Sequence, residues 1–272
     1  MHAPGAVLVS SARRDPGRDN PRVHVAVDLH CHILPGLDDG ARDLADAVEM
    51  ARQAEVDGIE AICATPHIRP DHLVEISSLP GRLAELRAAL AAAGCATRIL
   101  PGGELAAPLV GARDDRELDG SALGGGRRWV LLEPAPGPLD MGIEHAVEAL
   151  RARGRRAVIA HPERHLAVDL ADRLRRLLEL DALVQVTAEC FLRDGLRDGM
   201  LWLARHGLAH LLGSDAHSSQ IGRPVALGGA LDALAAAGAD REALQWMAHT
   251  APIAIVSGHD LEARWLLAPA DG

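Results

Sequence analysis

Residues 25–40 read Val-Ala-Val-Asp-Leu-His-Cys-His-Ile-Leu-Pro-Gly-Leu-Asp-Asp-Gly, an apolar run that ends in two imidazoles and, after a turn, two carboxylates. Side chains at i and i+2 of an extended strand share a face, so His30 and His32 can grip one ion while Cys31 faces away. Pro35 and Gly36 turn the chain and return Asp38 and Asp39 towards the same rim. Two histidines at a strand end are ordinarily polar rim residues, so the weight of this reading depends on what lies downstream.

Outward from that run, short apolar stretches at 61–65, 97–100, 129–133, 157–161, 183–187 and 210–213 follow a first one at 23–30 and read as strands. Amphipathic stretches lie between them. In 44–56, Leu44, Val48, Ala51 and Val56 fall near one face, with Asp43 placed to cap the helix and Gly58 to end it. Residues 140–153, before Gly154, and 169–180 read the same way, whereas 68–80 and 106–126 read as loops or short helices. Strand and helix repeated about seven times predict parallel βαβ units in one domain over 23–272, preceded by a flexible tail at 1–22. The length of 272 residues suits a single barrel.

Histidines and carboxylates then fall at the strand ends. His30 and His32 end the first, His67 the second, Glu104 the third, Glu133 the fourth, His161 the fifth, and Asp215 with His217 the seventh. In a closed βα barrel those ends share one face, where such barrels build their active sites. Glu133 follows Val-Leu-Leu, and a carboxylate after a buried apolar run is costly unless it meets a cation. His24, His72, His145, His165, His206, His210, His249 and His259 are read as ordinary rim or core histidines. Asp38 and Glu163 are explained equally well by capping or surface pairing. Imidazole and carboxylate ligands without clustered thiols suit Zn, Mn or Fe, and so many ligands imply two or three ions. Such a site lowers the pKa of a water it binds and clamps the oxygens of a displacement at phosphorus, so hydrolysis of a phosphate ester is the expected reaction.

Composition closes off other chemistries. All 28 basic residues are Arg, which removes Schiff-base and P-loop lysines, and 38 acidic residues leave a net charge of −10 without a basic, aromatic-laced face for nucleic acid. One Phe, no Tyr and four Trp mean a core of Leu, Val, Ile and Ala. Cys31, Cys63, Cys95 and Cys190 form no CxxC pair, which points to reduced thiols in a cytoplasmic protein. The apolar piece at 6–9 is too short to span a membrane. Cys63 to Arg69 satisfies the C-x5-R spacing of cysteine-dependent tyrosine phosphatases, yet Pro66 lacks an N–H for a phosphate cradle, and Cys63 reads as strand filler.

The segments HCHILPGLDDG, DGIEAICATPH, GGE, LLEPA, IAHPERH and GSDAH followed by GRP resemble the PHP (polymerase and histidinol phosphatase) superfamily. Within it they resemble the CpsB/YwqE-type tyrosine phosphatases of capsule and exopolysaccharide synthesis, in the same motif order over about residues 25–260. The resemblance implies an α/β fold, a distorted TIM-like (β/α)7 barrel, with three divalent metal ions, Mn foremost, or Fe or Zn. It implies one ion on His30, His32, Glu133 and Asp215, a second on Glu104, Glu133 and His161, and a third on Asp39, His67 and His217. Arg164 and Arg223 match the family's phosphate-binding arginines. The implied partner is a phosphotyrosine-bearing protein such as a bacterial tyrosine kinase, with neither nucleic acid nor membrane insertion. His165 stands where the family commonly has an aromatic residue, and Glu189-Cys190-Phe191 replaces a small-residue stretch. The alternatives are a histidinol-phosphate type of metabolite phosphatase and a catalytically silent metal-binding module.

Overall fold

β1 (Val25–Cys31) is buried at every position, as a strand covered on both faces must be. The computed structural model describes residues 23–72 and 74–267, so the tail expected at 1–22 lies outside the described residues. α1 (Leu44–Asp57) follows, with Asp43 accepting the Asp46 N–H at its start and Gly58 closing it at φ 84°, a left-handed conformation that suits glycine. It leads into β2 (Ile59–Ala64), parallel to β1.

The chain continues through β3 (His67–Ile68), α2 (Leu79–Ala92), β4 (Arg98–Leu100), β5 (Glu104–Ala106), α3 (Asp115–Ser121), β6 (Trp129–Glu133) and α4 (Met141–Ala152). Then come β7 (Arg156–Ile159), α5 (Leu170–Glu179), β8 (Leu183–Thr187), α6 (Arg197–Arg205), β9 (Leu211–Gly213), α7 (Gly228–Ala236), α8 (Arg241–Gln245) and α9 (Ala251–Val256). The segments expected to be irregular hold short 3-10 turns at Ile76–Ser78 and Ala107–Ala112, together with α3.

All pairings between named strands are parallel, in two sheets of order β1-β2-β4 and β3-β5-β6-β7-β8-β9. This is a mixed α/β fold with a curled parallel sheet. The second and third strands expected from sequence do not simply end at their polar residues. Thr65-Pro66 interrupts one and Pro101-Gly102-Gly103 the other, and each resumes as β3 and β5 with His67 opposite Glu104. Proline has no N–H for the ladder, which is the physical reason for the break. Beyond β9, Asp215 N–H donates to His30 O at 2.8 Å and His32 N–H to Ala216 O at 2.9 Å, so the last strand's continuation meets the first strand's end.

The two ends of the strands are finished differently. At the amino end, buried Trp129 donates to His259 O at 2.8 Å beneath the Arg156 guanidinium, 4.4 Å from its ring. Arg155 bonds Asp115 and Asp119, Arg128 bonds Asp260, and the imidazole Nδ1 of buried His210 accepts the Val184 N–H at 3.2 Å. Among the described residues no helix is long and apolar enough to cross a membrane.

Candidate metal centre

The carboxyl ends of the strands converge on Glu104, whose side chain is fully buried. Its Oε2 lies 2.8 Å from His67 Nδ1 and 3.4 Å from both His30 Nε2 and His32 Nε2, while Oε1 stands 2.8 Å from His161 Nε2. Asp215 Oδ1 lies 3.5 Å from His30 Nε2 and 3.6 Å from His32 Nε2. Asp39 Oδ1, the more exposed member, lies 3.6 Å from His67 Nε2 and 3.5 Å from His217 Nε2. Glu133 Oε2 stands 3.5 Å from His67 Nδ1. The structure thus brings together all nine of the histidines and carboxylates expected to bind metal. Glu104, not Glu133, stands beside the His30–His32 pair.

Beyond the His161 Nε2–Glu104 Oε1 hydrogen bond at 2.8 Å, these contacts do not form a satisfied network. Glu104 Oε2, Asp215 Oδ1, His67 Nδ1 and His161 Nδ1 are buried without a hydrogen-bond partner, and orphaned polar groups at this depth are costly. His30 Nε2 and His32 Nε2 face each other at 3.2 Å, an arrangement in which both nitrogens could donate only with a clash of like charges. Three sets of side chains can each bring their ligand atoms to one point: His30, His32 and Glu104; His67, Glu104 and Glu133; and His32, Asp39, His67 and His217. The donor set and its unmet atoms fit divalent cations.

The electrostatics agree. Burial disfavours a charged His32, but the Asp38 and Glu104 carboxylates outweigh it and hold the imidazole up at about 10; Glu104 and Glu133 likewise hold His67 at about 9. Burial opposes ionisation of Glu104, yet His30 and its neighbours push the carboxyl well below its usual range. Asp215, also penalised by burial, is held at about 2 by His30, His161, His32 and Arg164. His217 goes the other way, to about 4, through burial and the charge on His32. The cluster therefore attracts positive charge to its centre and denies a proton to its edge.

The two arginines meet at Asp215. Arg164 Nη2 contacts Asp215 Oδ2, and Arg223 donates through Nε and Nη2 to the Asp215 carbonyl at 2.9 and 2.6 Å. Both His161 (φ 31°) and Asp215 (φ 49°) occupy the left-handed region, a strain that persists where surrounding structure imposes it. Sequence reading passed over Gln185, whose Oε1 lies 2.8 Å from His30 Nδ1, and Arg69, which binds Glu133 at 3.0 Å and Asp71 through both its oxygens. Asp38, returned to the rim by the sequence but explained there by capping or surface pairing, instead binds His32 Nδ1 at 2.8 Å. Polar residues inside or just after strands leave no periodic signal that separates these roles from ordinary burial.

Cys63 lies in β2, fully buried, with burial pushing its thiol far up, and Arg69 of the C-x5-R spacing is engaged with carboxylates. Cys63 is thereby ruled out as the nucleophile of a C-x5-R site.

The family model for capsular polysaccharide synthesis, CpsB/CapC, matches residues 26–252. Tyrosine-protein phosphatase YwqE of Bacillus subtilis (strain 168) is 32% identical over 197 residues, covering 71% of this chain and 77% of the relative. A putative tyrosine-protein phosphatase CapC of Staphylococcus aureus is 30% identical over 199 residues, with the same coverage of 71% and 77%. Work on YwqE from Bacillus subtilis and CpsB from Streptococcus pneumoniae, described as unique metal-dependent tyrosine phosphatases, provides a solved structure matching 90% of this chain and 100% of its own at TM-score 0.76 and 27% identity. A phosphotriesterase homology protein from Escherichia coli shares the fold at TM-score 0.57 and 13% identity, over 87% of this chain and 99% of its own.

Proposed function

The chain belongs to the CpsB/CapC family of capsular polysaccharide synthesis, and from that premise we propose that it is a metal-dependent protein-tyrosine phosphatase that acts in the control of capsule or exopolysaccharide synthesis. The observation that carries the reading is Glu104 Oε2, buried among three imidazole nitrogens without a hydrogen bond. We read the two sheets as one distorted (β/α)7 barrel. In it, β2 with β3 and β4 with β5 are two interrupted strands, and the bonds between the β1 end and residues 215–216 support a closed ring.

Three divalent ions, Mn foremost, fit the three donor sets, with Asp215 beside the first and His161 reaching Glu104 between them. Divalent cations so held neutralise phosphoryl charge and provide nucleophilic water at neutral pH. The chain's own residues supply the rest. Arg164 spends one nitrogen on Asp215 and, among the described residues, keeps Nε and Nη1 for phosphoryl oxygens, for which a planar guanidinium fork is well shaped. Arg223, anchored through two nitrogens on the Asp215 carbonyl, fixes that residue's backbone and leaves Nη1 for the same anion. A phenolate, with a pKa of about 10, can depart without a dedicated acid. With no Tyr in the chain, the phosphotyrosine must come from another protein, a bacterial tyrosine kinase being the class the family relation suggests. The unpaired thiols support a cytoplasmic setting.

The test is hydrolysis of p-nitrophenyl phosphate, a phosphotyrosine peptide and histidinol phosphate by metal-stripped protein before and after Mn, Fe(II) or Zn is restored. The expected result is metal-restored activity that favours the peptide, and an Arg164→Ala variant that keeps its metal but loses turnover. Preference for histidinol phosphate moves the assignment to a metabolite phosphatase. Inactivity with every metal leaves a silent binding module.

A further inference from the structure

Asp38 is the first carboxylate of the Asp38-Asp39-Gly40 run, and it does not cap α1, a task that falls to Asp43. Its Oδ2 accepts the His67 N–H at 2.8 Å and its Oδ1 accepts the Gly40 N–H at 2.9 Å. Backbone N–H groups can only donate, so both Asp38 oxygens are fixed as acceptors. The remaining contact, His32 Nδ1 to Oδ2 at 2.8 Å, therefore has the imidazole donating from Nδ1. That leaves Nε2 of His32 as the nitrogen turned towards Glu104, Asp215 and His30.

We infer that Asp38 is the positioning residue of this centre: it selects the ligating nitrogen of His32 and draws the Asp39 loop and the His67 strand onto one point. The inference rests on the metal reading above. Three parts of the chain are tied by this one carboxylate, and all three feed the set His32, Asp39, His67 and His217. His32 comes from the end of β1, Asp39 from the loop after it, and His67 from the start of β3. Gly40 allows the loop to close this tightly, because a Cβ there would lie 2.3 Å from the His32 carbonyl oxygen. Buried ligand histidines generally depend on such an outer partner to fix the ring, and its loss costs about 10–100-fold in metal affinity.

Asparagine separates this role from a merely structural one. In Asp38→Asn the amide oxygen can still accept from Gly40, so the loop keeps that tie. With the amide in that orientation its nitrogen would face His32 Nδ1 and the His67 N–H as a donor, which favours the ring form protonated on Nε2; with the amide reversed, its oxygen serves those two donors and its nitrogen confronts the Gly40 N–H, so the loop tie is lost instead. Manganese per chain and Mn affinity are measured by elemental analysis and calorimetric titration on the wild type, Asp38→Asn and Asp38→Ala, with melting curves of the metal-free proteins alongside. The expected result is that Asp38→Ala loses manganese and binds the remainder about 10–100-fold more weakly, while Asp38→Asn, which keeps one acceptor oxygen, melts close to the wild type and falls between the two in affinity. Wild-type stoichiometry and affinity in Asp38→Ala would overturn the inference. A second readout needs no variant at position 38. In the zinc-loaded wild type, nitrogen-correlated NMR, with the His32 signal assigned by its disappearance in His32→Gln, should show the proton on Nδ1; a proton on Nε2 would equally overturn it. A wild type that binds no manganese would instead sink the metal reading, and the inference with it.

Discussion

The two ends of the parallel strands are built from the same residue types and solve opposite problems. At the amino end, arginine, aspartate, tryptophan and histidine find partners: Arg155 with Asp115 and Asp119, Trp129 with the His259 carbonyl, His210 with the Val184 amide. At the carboxyl end, Glu104, Asp215, His67 and His161 each keep a buried polar atom without one. The difference teaches that polarity at a strand end does not itself mark a site; unmet imidazole and carboxylate atoms gathered at one place do, whereas the unmet Arg155 Nε at the amino end is a donor with no lone pair to offer a cation. The amino end contributes stability, and the carboxyl end spends it to hold charge ready for a ligand.

That contrast can be broken first at the carboxyl end. His30→Ala or Asp215→Ala should abolish phosphatase activity and lower metal content while leaving the metal-free protein's melting curve nearly unchanged; retained turnover would show that the cluster is not the centre of the chemistry. Trp129→Ala should do the reverse, costing about 3–5 kcal/mol of stability in denaturant titration while kcat of the folded fraction holds. A fall in kcat as large as that at His30 would dissolve the distinction between the ends. His210 sharpens it through pH. Burial lowers its pKa from 6.5 to about 4, so the folded state resists a proton that the unfolded chain accepts. The stabilisation is complete above pH 6.5 and declines as pH falls towards 4, by about 3 kcal/mol in total. His210→Asn retains an acceptor for Val184 and should flatten that part of the urea-midpoint profile; an unchanged slope would assign the acid sensitivity elsewhere. Smallest of all, Cys63→Ser should cost about 1–3 kcal/mol from burying a hydroxyl and leave most activity.

Much of this was legible in the chain. The caps at Asp43 and Gly58 and the strands at 129–133 and 183–187 follow from local chemistry that tertiary contacts did not overrule. The convergence of His30, His32, His67, Glu104 and Asp215 follows from parallel topology alone, since every strand of a βα unit runs the same way. The interruptions at Thr65-Pro66 and Pro101-Gly102-Gly103 were not legible as breaks. They make His67 and Glu104 the first residues of resumed strands, and only the pairing register reveals it. Asp38 and Gln185 were hidden for another reason. An Asp before Asp-Gly suits a turn, and a Gln between two valines suits a buried strand, so neither spacing nor periodicity shows which imidazole each one holds.

The meeting of His30 and Asp215, 185 positions apart, also sets a timetable. Until residues 211–217 have left the ribosome, β1 has no neighbour on that edge, and Asp215 and His217 are missing from the cluster. Parallel pairings between such distant segments form late in folding. The donor cluster is thus complete only once β9 and the residues after it have been made: a chain cut short before β9 lacks both Asp215 and His217.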